Sequence, residues 1–139
     1  MAKIESMALD DEVSVAGQLA LNDLRAVRDE GFRSVVVLRP DGEAPGQPGH
    51  RQVLDGANEI GLEARYLPLT PGAWGPAEVR AFSLLKTTMP KPILAFCASG
   101  RRAATIWALS EAGARPKADI IERASGAGVD LSDMEDLLG

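Results

Sequence analysis

The distribution of apolar and polar positions divides the chain into short strands and amphipathic helices. Val13 to Gly17 alternates and stops at glycine, which predicts a brief edge strand. From Leu19 to Glu30, the apolar residues Leu21, Leu24 and Val27 recur at helical spacing, and Gly31 follows as a stop. Ser34 to Leu38 (SVVVL) is solidly apolar, the mark of a strand buried on both faces. A helix is expected over Arg51–Ile60 with Gly61 as its C-cap, then a strand over Glu63–Leu69. Pro76 suits the first position of a helix running to Lys86, with Val79, Phe82 and Leu85 on one face. Ile93–Phe96, entered through Pro90 and Pro92, reads as another buried strand. From Arg102 onward the chain is rich in alanine and leucine at helical spacing. A short strand around Lys3–Ser6 opens the pattern, and two short helices, Pro116–Ala124 and Leu131–Leu138, close it.

Strands alternating with helices predict an α/β fold, a small parallel sheet flanked by helices. Neither a linker nor a repeat interrupts residues 1–139, so a single domain is expected. Two stretches fit no regular element. One runs from Arg39-Pro40-Asp41-Gly42-Glu43 through prolines and glycines to Gly49, and the other from Thr70 to Pro76. The first is long for a plain connector, which points to a functional role.

Composition narrows the function classes. With 45% apolar and 25% charged residues, the 139-residue chain has enough core-forming residues for a globular domain. A net charge of −5 argues against nucleic acid or an anionic membrane surface as a partner. One cysteine rules out an intramolecular disulfide framework and fits a cytoplasmic location. MAKIESMALDDE lacks a secretory apolar core, and no apolar run reaches the roughly 20 residues of a membrane helix. His50, the sole histidine, has no ligand-type companions in its loop, so neither a metal nor a cofactor is expected.

The chemistry concentrates where the strand Ile93–Phe96 ends. Cys97, the only cysteine, is followed by Ala98, Ser99, Gly100, Arg101 and Arg102, and at once by the helical pattern. A tight turn feeding a helix N-terminus directs successive N–H groups at one point and adds the positive end of the helix dipole. Such a field favours the thiolate of a cysteine at the turn's first position. Glycine at position 100 allows the backbone to turn without a Cβ clash. The planar fork of Arg102 suits an oxyanion. Cys97 and Arg102 are therefore the candidate catalytic pair, with Ala98, Ser99, Gly100 and Arg101 as the wall of the anion cradle. Arg39 is a candidate to line the same pocket, because its strand ends on the same side of the sheet. Asp41 is the candidate acid or base. The plainer alternatives are a buried inert thiol, a solvated Arg101, and an ion-paired turn over residues 39–43.

The runs VSVAGQL (13–19), GFRSVVVLRPDGE (31–43), YLPLTPG (66–72) and FCASGRRAATIWALS (96–110), with the tail AGVDLSDMEDLL (127–138), resemble the beta-lactamase hydrolase-like, phosphatase-like domain family. The resemblance implies a fold similar to the dual-specificity tyrosine phosphatases. Members are catalogued both as phosphatases and as sulfur transferases. Some are fused to, or encoded beside, a persulfide dioxygenase-like metallohydrolase, which the resemblance thereby implies as a partner in sulfide metabolism.

Loop length separates the two activities. Tyrosine phosphatases place five residues between nucleophile and arginine, a spacing that here ends on Ala103. Four residues reach Arg102, as in the active loop of rhodanese-type sulfurtransferases. The stretch Tyr66–Gly72, where such phosphatases carry an acid, has no carboxylate, although Asp41 or Glu43 could substitute. Ala103 also stands where phosphatases place a serine or threonine. The leading expectation is a rhodanese-like sulfurtransferase. It would move sulfane sulfur from a small anionic donor, thiosulfate or a persulfide, to a thiol acceptor through a Cys97 persulfide. The alternatives are a cysteine-dependent phosphatase and a non-catalytic persulfide carrier or anion-binding module.

Overall fold

The structure is a computed structural model that describes residues 4–139. Five strands form one sheet: β1 (Ser6–Ala8), β2 (Val13–Ala16), β3 (Ser34–Val37), β4 (Glu63–Tyr66) and β5 (Ile93–Phe96), in the spatial order β1-β2-β5-β3-β4. The pairs β2–β5, β5–β3 and β3–β4 are parallel, and only β1 runs antiparallel, against β2. The helices are α1 (Asp23–Asp29), α2 (His50–Glu59), α3 (Pro76–Thr88), α4 (Arg101–Glu111) and α5 (Lys117–Gly126), followed by a 3-10 helix over Ser132–Leu137.

Alternation along β5 builds two cores. Ile93, Ala95 and Cys97 join the cluster under α3, α4 and α5, with Phe82, Ile106, Trp107 and Ile120. Leu94 and Phe96 join the cluster on the other face, with Leu24, Val27, Val53 and Ala57 from α1 and α2. A parallel strand covered on both faces has no polar side, which is why β3 and β5 read as continuous apolar runs. Trp107 is fully buried, and Trp74 packs against the same cluster.

Several boundaries differ from the pattern of apolar residues. Val13–Ala16 is interior rather than an edge strand, because β1 pairs along it. The predicted Lys3–Ser6 strand begins only at Ser6, and Lys3 lies outside the described residues. The helix expected from Leu19 starts at Asp23, whose carboxylate accepts the Ala20 N–H at 2.7 Å. Leu21 consequently stays outside the helix and is 41% exposed. Beyond Tyr66, the strand-like register persists as isolated bonds, Leu67 N–H to Val37 O and Leu69 N–H to Leu38 O. The last short helix is a 3-10 helix that begins at Ser132.

Ser34 is the one buried polar residue among the described residues. It opens β3, and its hydroxyl donates to the Pro90 carbonyl at 2.6 Å, fixing the connection that leads into β5. Ser34→Ala leaves that carbonyl without this donor. It should cost about 1–2 kcal/mol in urea denaturation with an unchanged m-value.

Candidate active site

Because β2, β3 and β5 are parallel, their C-terminal ends lie on one edge of the sheet, and β5 is in the middle. Cys97 leaves β5 there, donating its N–H to Ala16 O at 3.2 Å. Its side chain is buried, and the Gly100 N–H donates to Sγ at 3.1 Å. The six residues Cys97–Arg102 thus curl back on the sulfur. Gly100, with φ of +94°, makes the left-handed turn that starts α4. Its own carbonyl accepts the Ala104 N–H at 3.0 Å, the first bond of the helix.

The end of β2 supports this loop. Gln18 N–H donates to Ala98 O at 3.2 Å. A Cβ at Gly17 would lie 3.1 Å from that same oxygen, so the two backbones meet at a distance only glycine accommodates without displacement. Ala98 and Ser99 are exposed, and the Ser99 hydroxyl accepts the Arg101 N–H at 3.3 Å.

Arg102, on the first turn of α4, is held by three acceptors. Glu43 takes Nη1 and Nη2 at 2.8 Å each, and Leu69 O takes Nη1 at 2.9 Å. Arg39, at the end of β3, donates from Nε to Glu43 at 3.0 Å and from Nη1 to Gln18 Oε1 at 3.1 Å. Hydrogen bonding from Arg102 holds the Glu43 carboxyl below its ordinary range against the opposing effect of burial, and Arg39 adds to it. The Arg102 guanidinium is raised in turn, by Glu43 first, against the lowering effect of burial, with the Cys97 charge a smaller contribution. Arg39, Glu43 and Arg102 thus form one cluster beside the cysteine loop.

Two further residues pair with each other. The Asp41 carboxylate is taken by His50, with Oδ1 accepting its N–H at 2.8 Å and Oδ2 lying 2.6 Å from Nδ1. These bonds lower the Asp41 pKa, and its carboxylate is engaged by His50. His50 is the first residue of α2 and not an isolated loop residue; its ring stacks on Tyr66 at 3.9 Å. Arg101 is exposed, and its charge reaches Asp130, whose carboxyl is lowered mainly by Ser132 hydrogen bonds. Among the described residues, no group of three or more His, Cys, Asp or Glu could hold a metal ion, and no helix is long and apolar enough to cross a membrane.

The pattern of residues did not reveal the partners Gly17, Gln18 and Leu69. Each acts through backbone or through a loop contact with a distant segment, which no periodicity encodes. The one available signal was the glycine ending the Val13–Gly17 run, since a glycine at a strand end often marks a close backbone approach.

The sequence matches, over residues 6–114, the family described as beta-lactamase hydrolase-like protein, phosphatase-like domain. A beta-lactamase hydrolase-like protein from Agrobacterium fabrum is 32% identical over 130 residues, covering 92% of this chain and 30% of that protein. One from Xylella fastidiosa is 33% identical over 125 residues, covering 88% of this chain and 29% of that protein. The chain therefore spans about three-tenths of the length of these curated relatives. A crystal structure from Neisseria meningitidis, described as a candidate phosphatase, superposes with a TM-score of 0.84 at 28% identity, covering 95% of this chain and 94% of that one. The structure of PTPMT1 superposes with a TM-score of 0.69 at 19% identity, covering 96% and 92%. The fold is that of the cysteine-dependent tyrosine and dual-specificity phosphatases.

The Glu43 pairing makes stability pH-dependent in a set direction. Its carboxyl is lowered in the folded state, so its contribution is complete above the ordinary value of 4.5 and is lost as pH falls through the folded value. Denaturant titrations from pH 7 downward should show a loss below about pH 4.5 that is shallower in Glu43→Gln.

Proposed function

This chain belongs to the phosphatase-like domain family of beta-lactamase hydrolase-like proteins, and we propose that it is a cysteine-dependent transferase moving sulfane sulfur through a Cys97 persulfide. The observation that carries the reading is the state of the carboxylates beside the site. Asp41 accepts hydrogen bonds from His50 and Glu43 from Arg102 and Arg39, and both carboxyls are shifted toward the ionised form. Neither is poised to protonate an alkoxide leaving group, which phosphomonoester hydrolysis requires. Sulfur transfer expels sulfite or a thiolate, which leaves without a proton donor. The Cys-x4-Arg loop, and Ala103 buried where a leaving-thiolate hydroxyl would sit in a phosphatase, support the same reading.

In the first half-reaction, the Cys97 thiolate attacks the outer sulfur of a persulfide R–S–SH. The S–S bond breaks, and its electron pair departs as RS⁻, leaving Cys97–S–SH. A second thiolate then attacks the outer sulfur, forming its own persulfide and regenerating the Cys97 thiolate. No external oxidant or reductant enters. The N–H groups of the loop, Gly100 among them, stabilise negative charge on sulfur, and Arg102 binds the anionic end of the donor. A small anionic donor, a thiol acceptor, a cytoplasmic setting and service to a persulfide dioxygenase-like metallohydrolase belong to the same proposal.

A second reading is a phosphatase using the same cysteine. It is favoured by the comparisons, which name phosphatases, above all by the Neisseria structure at 28% identity.

Steady-state assays separate the two. Transfer from glutathione persulfide or thiosulfate to a thiol or cyanide should turn over in the wild type and vanish in Cys97→Ser. In Arg102→Lys it should lose about a hundredfold in kcat/KM. Cys97-dependent hydrolysis of phenyl phosphate without sulfur transfer would select the phosphatase. Anion binding lost in Arg102→Ala, with no turnover of either kind, would select a binding module.

A further inference from the structure

Glu43 puts a negative charge inside a site built to receive one. It sits between the two guanidiniums, accepting from Arg102 at both oxygens and from Arg39 at Oε1. The cluster is largely removed from water, the side chains of Arg39, Arg102 and Glu43 being 13%, 17% and 22% exposed. Two cations and one anion leave a single net positive charge beside Cys97. Arg101 is exposed to solvent, which screens its charge. Glu43 uses only the Nη edge of Arg102; among the described residues Nε of Arg102 makes no hydrogen bond, so one edge is left to an incoming ligand.

Charge then decides what the cradle admits. A dianion entering beside an ionised Cys97 meets a site whose one net positive charge the thiolate already offsets, whereas without Glu43 one positive charge would remain. A neutral or singly charged group avoids most of that cost, which grows as the local dielectric falls below that of water. We propose that Glu43 is a specificity-determining residue that holds the cradle at one net positive charge, so that it takes neutral or monoanionic sulfur donors, such as the sulfane end of an alkyl persulfide, in preference to dianions such as thiosulfate or a phosphomonoester. The inference rests on the anion-cradle reading of the Cys97 loop given above.

Sulfate and perchlorate test it, because both are tetrahedral oxyanions and differ in charge. Each is titrated at constant ionic strength into ¹⁵N-labelled wild type, Glu43→Gln and Glu43→Asp, following the Gly100 amide by NMR. Removing one negative charge acts once on a monoanion and twice on a dianion. Glu43→Gln should therefore tighten perchlorate about threefold and sulfate about tenfold, while Glu43→Asp keeps the wild-type ratio. An unchanged ratio in Glu43→Gln overturns the proposal. Weaker binding of both anions there also overturns it, leaving Glu43 as a support for Arg102 alone. If neither anion moves Gly100 in any form, the anion cradle itself falls, and with it the function proposed above.

Discussion

The turn leaving β5 is pinned by the turn leaving β2, and the candidate site depends on that seam. Cys97 N–H and Ala98 O are both bonded to the segment Ala16–Gln18, and Gly17 has no side chain to hold the two backbones apart. On the other side, Gly100 turns through a positive φ and brings its N–H onto the sulfur. The loop is thus fixed mainly by main-chain groups, with the Ser99 hydroxyl adding one bond to the Arg101 N–H. A site preorganised in backbone stabilises charge on sulfur without reorganising when the charge appears.

A second layer positions the charged groups. Parallel pairing places the ends of β2, β3 and β5 at one edge, so Gln18, Arg39 and Cys97 converge although far apart in sequence. Glu43 then ties the end of β3 to the start of α4 through Arg102. The same carboxylate that orders Arg102 also lowers the positive potential there. On the proposed reading, that balance favours modestly charged ligands over a phosphoryl dianion.

The fold was largely legible because both faces of the sheet are covered: SVVVL and ILAF have no polar face to disguise them as anything else. The Cys97–Arg102 loop was legible for a local reason, as the strand, turn and helix that build it are contiguous. What stayed hidden was non-local or set by side-chain competition. Asp23 caps a turn and so delays α1, β1 converts an apparent edge into an interior strand, and Asp41 pairs with His50 across a glycine-rich loop. The Arg39–Glu43 pair was foreseen as an ion-paired turn, but the reach of Glu43 to Arg102, 59 residues on, was not.

The central claim is that Cys97 accepts sulfur rather than a phosphoryl group. The most direct test is the intact mass of the reduced protein after a single turnover with an equimolar mixture of glutathione persulfide and an aryl phosphate. A gain of about 32 Da, absent from Cys97→Ser and removed by cyanide, is the predicted result. A gain of about 80 Da on the same cysteine, with no sulfur adduct, would contradict it.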